Sequence, residues 1–320
     1  MRVVMTGGGG FIGAHLLARL VGAGMDVTLI GSTTGKSRYT ESLVRAGTVR
    51  FLRCSDTFAD EDILRPALAG VDALVLLGYV LPAAMGPGQR LSEEFALNVS
   101  PLIRLLRATD TSPRHVVFAS SVAVYGVPRA VPVRETDAPS PKTPYAIAKL
   151  AAEESIQLLC DAAGSSASIL RYATVYGPGE TVSRAVPNFI RAALAGQPPL
   201  VNGGADEHDY VHVCDVAEAT LQALRRHAAG TYNIGTGVGT RTLDLCNLVL
   251  RLAGAATSPV FRMTDRSEKP VRVVCSTERA SADLGFVARR QLSEGITEEI
   301  GWFRSEAEAE AVPTAALAIA

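Results

Sequence analysis

The 320-residue chain has little lysine, a single tryptophan and no long hydrophobic run. Four of its 31 basic residues are lysines, and the 32 acidic residues bring the net charge to −1. This balance excludes the basic surface that is typical of nucleic-acid-binding proteins. No stretch reaches the roughly 18 apolar residues of a transmembrane helix. We therefore expect neither a nucleic-acid partner nor a membrane span.

Cysteine is also scarce, and none of the five cysteines forms a C-x-x-C pair. An odd number of scattered cysteines indicates neither a disulfide framework nor a zinc site. The first residues resemble a strand and not a charged, apolar leader with a small-residue cleavage site. We expect reduced thiols, no bound metal and a cytoplasmic location.

The chain does contain a regular alternation of apolar strand-like and helical segments. Strands are expected at residues 2–6, 26–30, 49–53, 72–77, 115–119 and 168–172. This order predicts a doubly wound parallel α/β sheet, the Rossmann fold, over residues 1–180. Residues 181–304, with short strands at 210–213 and 231–234, are expected to form a smaller substrate-binding region interleaved with the first. Residues 305–320 are expected to be a loosely packed tail.

A glycine-rich turn joins the first strand to the first helix. Gly7, Gly10 and Gly13 are spaced three apart. Such a turn lets backbone N–H groups approach a pyrophosphate at a helix N-terminus, where the helix dipole favours negative charge. Because the turn follows a strand and opens a helix, it predicts a dinucleotide site.

The end of the second strand bears on the choice of dinucleotide. An acidic residue that binds the adenosine ribose is expected there, but the position is Gly31. Ser32, Lys36 and Arg38 follow, so hydroxyls and cations lie near the place of a 2′-phosphate. This favours NADP as the cofactor, with NAD as the second choice.

Three residues have the chemistry of an oxidoreductase centre. Tyr145 and Lys149 are four apart on a predicted helix and share one face. A nearby ammonium, together with an oxidised nicotinamide, would favour the phenolate, which makes Tyr145 a usable general acid and base. Ser121, at a strand's carboxyl end, could hydrogen-bond to the reacting oxygen.

Together these segments resemble the extended short-chain dehydrogenase/reductases of the NAD(P)-dependent sugar epimerase/dehydratase group. The resemblance covers nearly the whole chain, including residues 171–178, 209–216 and 232–235. It implies hydride transfer at a carbohydrate carbon and dimerisation through helices that start near Ser92 and Pro144.

The resemblance also implies site residues. Those implied for the cofactor are Gly7, Gly9, Gly10, Phe11, Ile12, Gly13, Gly31, Ser32, Lys36, Arg38, Asp56, Leu77, Asn98, Tyr145 and Lys149. Those implied for the substrate are Tyr79, Ser121, Val122, Thr174, His208 and Arg266.

Several positions depart from the family pattern. The family often has asparagine where Thr174 stands and an arginine where His208 stands, and the residues after Arg266 are unusual. Losing an arginine fork removes a strong bidentate phosphate contact. The substrate is therefore expected to be a modified sugar intermediate, as in antibiotic biosynthesis, or a sugar-like molecule without a nucleotide.

We expect an NADP(H)-dependent reductase or dehydrogenase acting on a keto or hydroxyl carbon of such a substrate. The alternative is a nucleoside-diphosphate-sugar 4-epimerase with tightly bound NAD. A dehydratase is less favoured, because Val122 and Ala123 replace an Asp-Glu pair. A regulator without catalytic activity is disfavoured, because both Tyr145 and Lys149 are present.

Overall fold

The structure is a computed structural model that describes residues 1–35, 37–55, 57–81, 86–108, 113–202, 204–262 and 270–311. Its main layer is a parallel sheet, which has seven strands in the described part of the chain. These strands are β1 (Arg2–Thr6), β2 (Asp26–Gly31), β3 (Arg50–Arg53), β4 (Ala73–Leu76), β5 (His115–Ser121), β6 (Ser166–Tyr172) and β10 (Gly230–Ile234). Their order across the sheet is β10-β6-β5-β4-β1-β2-β3. The predicted doubly wound α/β fold is confirmed.

Helices cover both faces of this sheet, and apolar clusters lie beneath each layer. The helices are α1 (Phe11–Gly22), α2 (Arg38–Arg45), α3 (Glu61–Leu68), α4 (Pro87–Glu94), α5 (Ser100–Arg107), α6 (Pro144–Ala163) and α8 (Val213–Arg226). Because both faces are buried, the strands are almost continuously apolar, as in β4. The strand order reverses between β4 and β1, which opens a crevice at their carboxyl ends.

A smaller region is built from later parts of the chain. Its strands are β7 (Thr174–Tyr176), β8 (Leu200–Asn202), β9 (Glu207–His212), β11 (Gly239–Arg241), β12 (Val260–Arg262) and β13 (Arg272–Val273). Its helices are α7 (Ala185–Leu194), α9 (Thr242–Ala253) and α10 (Leu292–Ala311). Strand β9 pairs with β7, β11 and β13, and a third apolar cluster joins the helices to β9.

Two local predictions were wrong. The helix expected to begin at Ser92 begins at Pro87, because proline suits the first helical position, and it continues into a π-helical turn at Phe95–Val99. The strand expected in the smaller region at residues 231–234 pairs with β6 in the main sheet. Helix α10 runs from Leu292 to Ala311, and the loose packing expected of residues 305–320 remains a prediction. The boundaries of the smaller region remain a prediction.

No helix in the described ranges combines the length and apolar character that a membrane crossing requires.

Candidate active site

The predicted glycine turn lies at the reversal of strand order. Gly7 has φ +72°, and its carbonyl accepts a hydrogen bond from the Gly10 N–H at 3.0 Å. A Cβ on Gly7 would lie 2.7 Å from the Gly78 backbone nitrogen, and a Cβ on Gly13 would lie 2.0 Å from the Gly7 carbonyl oxygen. The turn is therefore closely packed between the end of β4 and the start of α1, and side chains would disrupt it.

A cavity of about 230 Å³ opens over this turn. Its lining includes the turn itself, the end of β2, and Leu97 and Asn98. The N-cap of helix α1 is Gly10, which has no side chain that could accept hydrogen bonds from the N–H groups of the first turn. Phe11 and Ile12 are the first residues of that turn. A Cβ on Gly9 would meet the Thr34 carbonyl oxygen at 1.7 Å, so the loop after β2 closes against the turn. These features fit a dinucleotide whose pyrophosphate rests on main-chain N–H groups.

The residues predicted to select the dinucleotide lie near the end of β2. Gly31 is buried and lines the cavity together with Ser32. Arg38 is exposed at the first position of α2. Lys36 and Asp56, which were also predicted to contact the cofactor, lie outside the described residues.

Ser121 and Tyr145 meet at the carboxyl end of β5. The Ser121 hydroxyl lies near enough to the Tyr145 phenol to favour its ionised form, and it accepts a hydrogen bond from the Ala123 N–H at 3.2 Å. Burial raises the pKa of Tyr145, while the Ser121 hydroxyl and the charge of Arg184 act in the opposite direction. Ser120 instead donates to the buried carboxylate of Glu153. The geometry therefore brings Ser121, and not Ser120, to the tyrosine.

Lys149 lies one turn after Tyr145 on α6 and is buried. Its ammonium donates to the Ala119 carbonyl oxygen at 2.8 Å and lies 5.9 Å from the centre of the Tyr145 ring. Burial lowers the pKa of Lys149 to about 8, although the charges of Glu153 and Glu94 raise it. The expected closeness of ammonium and phenol is thus present.

A buried polar network lies behind these residues. The Arg171 guanidinium contacts both carboxylate oxygens of Glu153, with Nη2 2.7 Å from Oε2. Its Nη1 donates to the Tyr125 hydroxyl at 2.9 Å, and that hydroxyl donates to Asn233 Oδ1 at 2.8 Å. The network links α6 with β6 and β10 beneath Ser121, Tyr145 and Lys149. Sequence reasoning missed it because its members are up to 108 positions apart.

Asn98 and Tyr79 were predicted to contact the cofactor and the substrate. The Asn98 amide pairs with both backbone groups of Val80, at 2.7 Å and 2.9 Å, and so holds the loop after β4. The Tyr79 hydroxyl donates to Glu94, while its ring lies beside Tyr145. Leu77, directly after β4, is half-buried.

The other predicted substrate residues lie at two places. Val122 is buried in the core beside Ser121, and Thr174 is the half-buried first residue of β7. His208 lies on β9, where burial lowers its pKa although Asp206 acts to raise it. The structure therefore gives His208 a neutral ring at neutral pH. Arg266 lies outside the described residues.

Two buried carboxyls near the site were also not foreseen. Burial raises the pKa of Glu180 to about 7 and that of Glu299 to about 9, and the charge of Glu180 adds to the shift of Glu299. Glu180 lies 3.2 Å from the Nε of Arg184, the cation that acts on Tyr145. Glu299 lies on α10, and Glu180 lies in the loop that precedes α7.

The fold, the glycine-lined cavity and the grouping of Ser121, Tyr145 and Lys149 fit a dinucleotide-dependent oxidoreductase. The model of the NAD dependent epimerase/dehydratase family matches residues 3–235. The chain belongs to this family of extended short-chain dehydrogenase/reductases, as its motifs predicted.

Individual relatives agree with this assignment. A UDP-glucose 4-epimerase of Mycolicibacterium smegmatis is 30% identical, over 96% of this chain and 100% of the relative. The structure of a Thermotoga maritima UDP-glucose 4-epimerase with UDP-glucose has a TM-score of 0.84 at 28% identity and covers 96% of this chain and 100% of its own. The structure of MoeE5 with UDP-glucose and NAD has a TM-score of 0.82 at 29% identity, with the same coverage.

These findings bear on two predictions. The protein is an NAD-dependent enzyme of the sugar epimerase/dehydratase type, and the epimerase alternative fits better than the favoured reductase. The preference for NADP is not supported, since the MoeE5 complex contains NAD and the family is NAD-dependent.

Proposed function

We propose that the protein is a nucleoside-diphosphate-sugar 4-epimerase that uses bound NAD. The observation that carries this proposal is the grouping of Ser121, Tyr145 and Lys149 next to a glycine-lined cavity. Two of the relatives that share this fold over the whole chain are UDP-glucose 4-epimerases. The homodimer and the cytoplasmic location expected from the sequence remain part of this proposal.

The chemistry follows from the environment of the phenol. NAD would be held by the Gly7–Gly13 turn and would supply a hydride acceptor and donor. Tyr145 takes the proton of the sugar hydroxyl as that carbon is oxidised and returns it when the carbon is reduced. Ser121 keeps the reacting oxygen within reach by hydrogen bonding, and Lys149 adds positive charge close to the phenol.

The residues beside Ser121 support epimerisation over dehydration. Elimination of water from a keto-sugar needs a further acid and base near the reacting carbons. Val122 and Ala123 follow Ser121 in a short 3-10 turn, and neither has a titratable group. These two positions therefore supply no acid or base for elimination, whereas oxidation and reduction at one carbon do not need one there.

NAD is proposed as the cofactor in spite of Gly31. The lost acidic residue removes one ribose contact, but Ser32 lies at the same edge of the cavity and offers a hydroxyl. Arg38, the described cation expected to bind a 2′-phosphate, is exposed on α2. An NADP-dependent reductase stays the second candidate, because the absence of a carboxylate at Gly31 favours it.

The substrate is proposed to carry a nucleoside diphosphate, as UDP-glucose does. The neutral ring of His208 provides hydrogen bonds and no positive charge, so phosphate binding is expected to depend on other groups and to be weaker than with an arginine fork. If UDP-sugars do not bind, the substrate would instead be a sugar without a nucleotide.

The test begins with the cofactor that copurifies. We expect denaturation of the purified protein to release NAD, identified by mass spectrometry. We also expect the native protein to convert UDP-glucose to UDP-galactose without added cofactor, as followed by NMR. Tyr145→Phe is the control and should retain NAD without turnover. Release of NADP, or consumption of NADPH by a keto-sugar, would overturn the proposal in favour of the reductase.

A further inference from the structure

Tyr79 and Glu94 form a hydrogen-bonded pair beside the catalytic residues. Tyr79 follows β4, and Glu94 is the last residue of α4. The Tyr79 hydroxyl lies 2.7 Å and 2.8 Å from the two carboxylate oxygens of Glu94. The Glu94 side chain is fully buried, and Oε2 also accepts from the Asn98 amide at 3.0 Å. These bonds fix the direction of the Tyr79 ring.

That ring contacts two of the three catalytic residues. It meets the Tyr145 ring edge to face, with the ring centres 5.3 Å apart and an angle of 84°. The Lys149 ammonium lies 5.3 Å from the centre of the Tyr79 ring. Edge-to-face aromatic pairs and ammonium–ring contacts are both attractive. The Tyr79 ring is therefore a common neighbour of the proposed acid/base and of its ammonium partner.

The carboxylate of Glu94 is also one of the charges that act on the Lys149 ammonium. Burial lowers the pKa of Lys149, whereas the charge of Glu153 on α6 and that of Glu94 on α4 raise it. Arginines lie near both carboxylates: Arg171 from β6 binds Glu153, and Arg90 lies 3.7 Å from Glu94. Within the described residues, the ammonium also faces the Ala119 carbonyl oxygen and the rings of Phe118, Tyr79 and Tyr145.

We propose that Tyr79 and Glu94 are positioning residues of the catalytic centre. Glu94 fixes the Tyr79 ring, the ring holds Tyr145 and Lys149 in their mutual arrangement, and the carboxylate adds negative charge opposite the ammonium. The catalytic role of this arrangement rests on the proposed function, which is epimerisation of a nucleotide sugar. The effect on Lys149 can be measured without any sugar substrate.

The first test measures the ionisation of Lys149 by NMR. The chain has four lysines, so a protein labelled with 13C at lysine Cε gives a small set of signals, and Lys149→Arg identifies the one of interest. This signal should titrate near pH 8 in the wild type. In Glu94→Gln it should titrate lower by about half a pH unit or more, because a negative neighbour of the ammonium is lost.

Glu61→Gln is the matched control, because it removes an exposed carboxylate from α3 and should leave the titration unchanged. If Glu94→Gln does not fold, as judged by circular dichroism, Glu94→Asp replaces it. That variant keeps the charge but draws it back from the ammonium by one methylene, so it should lower the Lys149 titration by a smaller amount. An unchanged Lys149 titration in the folded variant contradicts the proposal.

The second test is kinetic and depends on the proposed function. Tyr79→Phe should lower kcat by about tenfold, within the range seen for displaced catalytic groups, with little change in KM. Glu94→Gln should move the alkaline limb of the kcat profile to lower pH, in step with the NMR titration. The exposed Tyr39→Phe variant should change neither. If wild type does not epimerise any UDP-sugar, the proposed function fails while the NMR result still decides the role of Glu94.

Discussion

Replacing Glu153 by glutamine should destabilise the protein strongly. The Glu153 and Arg171 side chains are 4% and 6% exposed, and the guanidinium contacts both carboxylate oxygens. Removing one partner of a buried ion pair costs about 3–5 kcal/mol, because the other charge stays buried without compensation. Glutamine retains one hydrogen-bond acceptor, so we expect the lower end of this range. At roughly 2–4 °C per kcal/mol, the melting temperature should fall by about 6–12 °C.

The measurement is thermal unfolding by circular dichroism, supported by urea unfolding at 25 °C. Glu41→Gln provides the matched control, because it breaks an i,i+4 ion pair with Arg45 whose side chains are 56% and 78% exposed. Such exposed pairs contribute about 0.3–0.5 kcal/mol, so this variant should melt close to wild type. Equal melting temperatures for the two variants would refute the view that the buried network stabilises the base of the site.

The remaining predictions concern catalysis, the glycine turn and pH. Tyr145→Phe should lower kcat by about 10²–10⁴-fold and leave NAD affinity nearly unchanged in a binding titration; unchanged turnover would exclude its acid/base role. Gly13→Ala should abolish NAD binding, because its Cβ would lie 2.0 Å from the Gly7 carbonyl oxygen, whereas Gly22→Ala on the same helix has open space and should bind normally in the same assay. Burial raises the pKa of Glu299 to about 9 from 4.5, so its stabilising effect is complete below pH 4.5 and is lost as pH rises through about 9. Glu299→Gln, which stays neutral, should therefore gain stability relative to wild type in urea unfolding as pH rises from 5 to 9, and a constant difference would contradict this shift.

The main fold could be predicted because its signals are local. The apolar strands, the spacing of Gly7, Gly10 and Gly13, and the four-residue spacing of Tyr145 and Lys149 each appear within one short segment. Ser121 was likewise placed by its position at the end of a strand. The structure brings these residues to one edge of the sheet, as parallel strands require.

The rest depends on contacts between distant segments. The pair of Arg171 and Glu153 joins β6 to α6, and the strand Gly230–Ile234 belongs to the main sheet because it pairs with β6. Neither contact leaves a periodic pattern in the sequence. The preference for NADP rested on the single position Gly31 and two nearby cations, which is too little to select a cofactor whose binding involves the whole cavity.

The central claim is tested most directly by following deuterium at the carbon that reacts. The protein, without added cofactor, is incubated with UDP-glucose that carries deuterium at C4, and the UDP-galactose formed is examined by mass spectrometry and NMR. We expect a product that keeps the deuterium at C4, because the hydride removed from the sugar is returned to the same carbon within one turnover. Loss of the deuterium from the product, or a reaction that proceeds only while NADPH is consumed, would contradict it.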